Sequence, residues 1–390
     1  IQAGNLDIEI QDETGKAIDT LAWATKDGTA FAEDGKTPLW EPGCTYTLTP
    51  FQIVNKGNLA LKYKIVVTGL EGDTGLLKVI KFTYKTGEET FDMNTEGHLT
   101  ANGGASKVIT VSAHMDEAAG NEYMNKTLEG VKFTVYATQD TVESDSFNNT
   151  YDANATYPVV NVTELKEALT NGGVVNVATD IRTNNSEDTA AARIVISQPT
   201  TLNLEKKIIT PDNMGNNNTN FCALIVDADT TINAGENGGI DTGVNGGYGI
   251  NVRNGATLTI NGGYYYGGGT AVQVQKGTLI INGGTFACEP YSNPTYGYNF
   301  LINCLDSAYK NGTAKVIING GDFRQVGVPA DDPVCDLIYA LGNATIEING
   351  GTFKAVTPAN TLNCKDGSNA KITVKGGSFY KYDPSHPTLG

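Results

Sequence analysis

The side chains of this chain best suited to chemistry are acidic, basic and aromatic residues that recur one repeat apart. Asp227 and Arg253 hold equivalent positions in successive repeats, with Gln275 at the next. On an outer strand face they would supply the carboxylate and the arginine base of polysaccharide-cleaving chemistry; the plainer reading is a solvated cross-strand ion pair. Asp306 and Asp366 sit two repeats apart with Gly342 between them, and two carboxylates facing each other across roughly 5 to 9 Å would suit glycoside hydrolysis. The catalytic candidates are therefore Asp227, Arg253 and Asp306. Asp331 and Asp332, with Asp336 close behind, offer the several oxygens that calcium takes, or else a solvated turn. The longest inter-repeat segment, Ala287 to Phe300, carries Tyr291, Tyr296 and Tyr298, one repeat after Tyr264, Tyr265 and Tyr266. Aromatic faces without nearby basic residues suit sugar rings or a protein partner. Tyr264, Tyr266, Tyr291, Tyr296 and Tyr298 are the binding candidates, against the reading that they only cover a flank.

These residues need a scaffold, and the repeat supplies it. The stretch ATIEINGGTF (Ala344 to Phe353) returns as ATLTINGGYY, GTLIINGGTF, AKVIINGGDF and AKITVKGGSF. Marking the residue before the glycine pair gives Asn203, Asn233, Asn261, Asn282, Asn319, Asn349 and Lys375, at steps of 30, 28, 21, 37, 30 and 26. Such a period predicts a solenoid. Each copy is a short alternating strand closed by Gly-Gly, whose backbone freedom permits a tight corner. A second strand follows in every repeat. Aligned, these place Leu224, Ile250, Val272, Ile302, Ile338 and Leu362 in one inward column, and Val226, Val252, Val274, Cys304, Ala340 and Cys364 in another. The positions between, Asn251, Gln273, Asn303 and Asn363, predict a polar, solvated face. Tyr265, Phe286, Phe323, Phe353 and Phe379 form a third column, an aromatic ladder. Together these predict a parallel β-helix of about eight coils, roughly 35 to 40 Å long.

Composition narrows the function. A formal net charge of −16 argues against nucleic acid or an anionic membrane surface as partner, because phosphate neutralisation needs clustered Lys and Arg. No apolar run approaches the roughly 20 residues of a membrane span. The chain starts at Ile1, so removal of an upstream export signal is expected. Among its six cysteines there is no Cys-x-x-Cys pair to suggest zinc. Cys304 and Cys364 would lie about 10 Å apart, too far for a disulfide.

Residues 1–138 show no repeat. Leu6, Ile8 and Ile10, then Leu61, Tyr63, Ile65 and Val67, then Ile80, Phe82 and Tyr84, and last Val131, Phe133 and Val135, alternate with polar neighbours. Turn signals such as Asp34-Gly35 and Lys56-Gly57-Asn58 separate them, which predicts an antiparallel β-sandwich, Ig-like or jelly-roll-like. The opening AGNLDIEI, WEPGCTY at Trp40 to Tyr46, IVNKGNLALKYKI at Ile53 to Ile65 and VYATQDTVESDS at Val135 to Ser146 resemble the camelysin and TasA-like secreted proteins of Gram-positive bacteria. The resemblance implies an exported protein of the cell surface or matrix. Some members are described as metalloproteases, but this chain has no His-Glu-x-x-His, only His98, His114 and His386. Fibre-forming members donate an N-terminal strand to a neighbour, for which Leu6 to Gln11 is the counterpart.

Residues 139–157 shift to Asp, Ser, Asn and Thr and are expected to form a linker. Then NVTELKEALTNGG predicts a helix capped by Asn161 or Thr163, with Val162, Leu165 and Leu169 on one face and a stop at Gly172-Gly173. Such a helix would cap the open end of a β-helix. The phrase LKEALTNGGVVNVATDI resembles the pectate-lyase-like superfamily, which implies a right-handed β-helix over 158–390; architecture does not fix function. No second cap follows the last strand, so the natural protein is expected to continue past Gly390. The sequence thus points to a secreted or cell-surface adhesion or matrix protein that binds a glycan or a protein. The alternatives are a polysaccharide lyase or hydrolase, and a fibre subunit that self-associates through its first strand.

Overall fold

The computed structural model describes every residue except 1–4, 26–30, 69–70, 73, 92–94, 125, 127, 130–131, 141–155, 184–193, 213–221, 244–246, 290–291, 294–296, 299, 307–313, 327–334 and 388–390. The chain is mostly β-strand with one α-helix among the described residues, and it divides into two compact units, Ile1–Tyr157 and Pro158–Gly390.

The first unit is antiparallel. A five-stranded sheet runs in the order Trp23–Thr25, Thr45–Leu48, Ile109–Met115, Ile80–Thr86, Glu89–Phe91, and a three-stranded sheet in the order Lys132–Gln139, Leu61–Thr68, Gly97–Leu99. Strict alternation drives the central strand: Ile109, Val111, Ala113 and Met115 are buried while Thr110, Ser112 and His114 are half-exposed. Leu48, Leu61, Ile65, Leu99, Ile109 and Val111, drawn from both sheets, share one core cluster with Ile53. The first strand, Ile8–Gln11, pairs with Gln52–Asn55 of its own chain. The last strand reaches Gln139, and Asp140 is buried with its carboxylate 2.8 Å from His98 Nδ1. The segment expected to be a linker therefore begins inside the fold; its residues 141–155 lie outside the described residues.

The helix of the second unit, Val162–Asn171, starts where its sequence dictates. Asn161 Oδ1 accepts the Glu164 N–H at 2.9 Å, and Glu164 Oε2 accepts the Val160 N–H at 3.1 Å. Leu165 and Leu169 are fully buried, and Gly172, at φ 76°, ends the helix. The helix packs on Gly173–Val177 and Val195–Ile196, the first strands of the two large parallel sheets.

One of those sheets has fourteen strands in two branches. The first branch runs Gly173–Val177, Thr200–Leu204, Thr230–Ala234, Ala256–Gly267, Gly277–Cys288, Ala314–Ile318, Thr345–Ile348, Lys371–Val374. The second contains Ile181–Arg182, Lys207–Ile209, Gly239–Asp241, the later halves of the two long strands, Asp322–Gln325, Thr352–Lys354 and Ser378–Phe379. The other sheet has seven strands, Val195–Ile196, Cys222–Val226, Tyr248–Val252, Thr270–Val274, Ile302–Leu305, Ile338–Leu341 and Leu362–Cys364. Leu224, Ile250, Val272, Ile302, Ile338 and Leu362 are paired strand to strand, and so are Val226, Val252, Val274, Cys304, Ala340 and Cys364. The register is the one the repeat alignment gives. Two strand steps separate Cys304 from Cys364, and no disulfide is formed among the described residues.

The aromatic column is a continuous stack. Ring centroids of Tyr265, Phe286, Phe323, Phe353 and Phe379 are 4.9, 5.0, 4.9 and 4.7 Å apart, with interplanar angles of 11° or less. The second glycine of each motif makes room for it. Gly321 has φ 114°, and a Cβ there would stand 3.1 Å from Gly284 O and 3.2 Å from the Phe323 ring. The asparagine before each glycine pair lies on the corner, and its side chain bonds to the asparagine of the preceding repeat. Six such bonds, 2.8 to 3.0 Å long, join Asn176, Asn203, Asn233, Asn261, Asn282, Asn319 and Asn349.

The expectation of a solvated face differs. Asn251, Gln273 and Asn303 are not solvated: they are 0, 0 and 5% exposed. They share register columns with Ile225 and Tyr339, and Tyr339 stacks on Phe300 at 4.2 Å, so the outer side of the seven-stranded sheet is covered. After the last strand the chain stays on the fold as far as Tyr382. The Tyr380 N–H bonds to Phe353 O, and Tyr382 packs on the core cluster, 6.1 Å from the Phe379 ring. Among the described residues, no helix is long and apolar enough to cross a membrane.

Candidate functional site

The second branch of the long sheet positions a groove on its outer side. Its inward column is Ile208, Ile240, Tyr265, Phe286, Phe323 and Phe353, all at most 1% exposed, which turns the flanking residues outward. Lys207, Gly239, Tyr264, Thr285 and Asp322 form one outward column; Ile209, Asp241, Tyr266, Ala287 and Arg324 form the other. Gly239, between Lys207 and Tyr264 in this column, is buried, and the Tyr264 backbone packs so closely on it that only glycine fits. Any Cβ there would meet Tyr264 O at 1.8 Å, on a backbone at φ 138°.

On this side lies an open groove of about 590 Å³ lined by Asp180, Lys206, Lys207, Glu236, Asp241 and Tyr264, with Ile209 and Asn237 completing its wall. Lys207 Nζ stands 4.9 Å over the Tyr264 ring and 3.8 Å from Asp241 Oδ2. Asp180 Oδ1 accepts the Lys207 N–H at 3.0 Å, and Asp241 Oδ1 accepts the Gly243 N–H at 3.0 Å. Burial raises the Tyr264 phenol above its ordinary pKa, Asp241 raises it further, and Arg324 opposes them. The phenol thus stays a neutral donor at physiological pH. The expectation of an aromatic face without nearby basic residues differs here, because Lys207 lies over the ring; the ring edge, the ammonium and the carboxylates together can meet a sugar and bond its hydroxyls. Tyr266 stands in the neighbouring column, its phenol also pushed up by burial and by Glu289.

The catalytic candidates are placed otherwise. Arg253 Nε and Nη2 reach the two oxygens of Asp227 at 2.9 and 2.7 Å, a two-pronged ion pair between adjacent strands. A guanidinium so engaged, and always protonated, is held as a brace rather than poised as a base. Asp306 does not lie on an outer face. It is 0% exposed, and its Oδ2 accepts the Asn343 N–H at 3.3 Å, whereas Asp366 is exposed. Alternation from the inward Ile302 and Cys304 already turns Asp306 inward, so its place among the outward candidates did not follow from the strand pattern. Tyr291, Tyr296, Asp331 and Asp332 lie outside the described residues, and only the backbone of Tyr298 is described. Among the described residues, no group of three or more His, Cys, Asp or Glu is placed to hold a metal ion.

Of the sequence candidates, the structure brings Tyr264 into a built groove. Asp180, Lys207 and Asp241 were not singled out from the sequence. They share no sequence signal: they come from three repeats, at positions where the motif fixes no residue type. In comparisons with known proteins, no family model matches the chain, and no curated protein and no solved structure matches it.

Proposed function

We propose that this chain is a secreted, surface-associated or matrix protein of a Gram-positive bacterium. In this reading an antiparallel β-sandwich precedes a right-handed parallel β-helix, and the helix binds glycans without cleaving them. The fold reading is supported by parallel strands that each repeat adds to both branches of the long sheet and to the seven-stranded sheet, in register from repeat to repeat. The single observation that carries the functional reading is the Tyr264 ring, set in an open groove beside Lys207 and Asp241. Loss of the aromatic ring removes both apolar contact and orientation. Tyr264→Ala is therefore expected to weaken binding to glycans retained by the wild type by roughly tenfold or more, read by isothermal titration after an array screen. A wild type that retains no glycan, or equal binding by Tyr264→Ala, would overturn this reading.

The polysaccharide-cleaving alternative makes a separate prediction, that Arg253→Ala abolishes oligosaccharide release. The two-pronged pair with Asp227 supports the opposite expectation: no release by the wild type, and a stability loss in Arg253→Ala of at most about 1 kcal/mol for a partly exposed pair. Reducing-end assays on a polysaccharide panel, with denaturant unfolding of the variant, check both.

A further inference from the structure

The first branch of the long sheet turns a second surface outward, around the glycine corner from the groove. Its outward column holds Val174, Thr201, Thr231, Thr259, Ile280 and Ile317, paired in register. Beside it runs the asparagine ladder. Across these six strands neither column contains a charged residue, on a chain whose formal charge is −16. Glu347 and Lys375 close the strip at one end, and Asp229 and Lys315 flank it.

We propose that this strip is a docking surface for a neutral, extended, β-linked polysaccharide. The ladder fixes the amides. Asn261, Asn282 and Asn319 each spend one N–H and one carbonyl lone pair on their neighbours, are exposed, and keep a second N–H and lone pair to offer outward. Donor and acceptor thus recur together at each strand, about every 4.8 Å, already oriented and with little rotamer freedom left to lose. An extended β-1,4-linked sugar chain advances by nearly that step per residue and presents hydroxyls along its edges. Its apolar ring faces would lie on the threonine methyls and on Ile280 and Ile317, both half-exposed.

Charge selects the class, because a strip with no cation offers nothing to offset the desolvation of uronate carboxylates. Size excludes a folded partner: six strands about two side chains wide present roughly 300 Å², well short of the ~800 Å² per partner of a standard protein interface. A repeating polymer escapes that limit by engaging many ranks at once.

The test is depletion of the full chain from solution by microcrystalline cellulose and by chitin, with polygalacturonate beads as the charged control. The wild type should be retained on at least one neutral polymer and not on polygalacturonate. Ile280→Lys, which places a cation mid-strip while its stem can still cover the sheet, should weaken retention at least about tenfold. Thr259→Lys serves the same purpose if the first variant melts early. Binding of the soluble glycans that depend on Tyr264 should be unchanged in Ile280→Lys, which separates this surface from the groove. No retention on either neutral polymer, retention on polygalacturonate alone, or equal retention by folded Ile280→Lys and Thr259→Lys would each overturn the proposal.

Discussion

Phe323→Ala is expected to destabilise the second unit by about 3 to 5 kcal/mol, the range for removing a buried phenylalanine whose surroundings cannot collapse. Its ring is fully buried and stacked on both sides, 5.0 Å from Phe286 and 4.9 Å from Phe353. The neighbours cannot slide in. Each ring is fixed by its own strand, and the glycine corners at Gly321 and Gly351 already lie against the Phe323 ring. In a domain of this size that loss lowers the melting temperature by roughly 6 to 20 °C. Phe379→Ala should cost clearly less, because Phe379 is half-exposed and ends the parallel stack. Both tryptophans, Trp23 and Trp40, belong to the first unit, so their emission reports that unit while far-UV circular dichroism follows the strands of both. A Phe323→Ala chain that melts within 2 °C of wild type would refute the stack as a main support of the fold.

The sequence made the stack and the register legible because the Asn-Gly-Gly-x-aromatic motif holds several constraints at fixed offsets. Glycine is demanded by the corner, the aromatic two residues on by the interior, and the asparagine by the rank of amides. That asparagine served to count the repeat, yet the motif alone did not say that it bonds to its equivalents. Alternation was less informative on the seven-stranded sheet. A polar residue between apolar ones reads as solvated, but period two only says that Asn251, Gln273 and Asn303 face away from the interior, not that water lies there. The signal available was column content: Ile225 and Tyr339 occupy the same outward positions as these amides. The groove was obscured for a different reason. It arises where the motif is degenerate, from Asp180, Lys207, Asp241 and Tyr264 of successive repeats, and no spacing rule fixes those residue types. Asp306 was misplaced for want of applying alternation: two residues beyond the inward Cys304, period two already turns it inward.

The covered face also carries a pH dependence in the acidic range. Asp336 is 2% exposed and has one hydrogen bond from a side chain, from Asn363 Nδ2 at 2.9 Å. Burial raises its pKa from 3.8 to about 6, against the smaller lowering effect of that bond. The sign follows from proton binding. Between pH 3.8 and about 6 the folded state holds the Asp336 proton while the unfolded state has released it. The unfolding free energy therefore falls as pH rises through this window, by about 3 kcal/mol in all at 1.36 kcal/mol per pKa unit. Tyr339, the phenol nearest in the column, is pushed up to about 12 and does not titrate there. The carboxyl of Asp383, lowered to about 2 by bonds from Ser385 and His386, contributes stability that is lost only below the window. Asp336→Asn keeps the shape and the acceptor for Asn363 but removes the charge. Denaturant unfolding from pH 4 to 7 should show wild-type stability declining relative to the variant, with the variant ahead by about 3 kcal/mol at pH 7. Parallel pH profiles for the two chains would mean that Asp336 is solvated in the native protein. The cover over the seven-stranded sheet would then be open in solution, and the buried amide column of Asn251, Gln273 and Asn303 would be open with it.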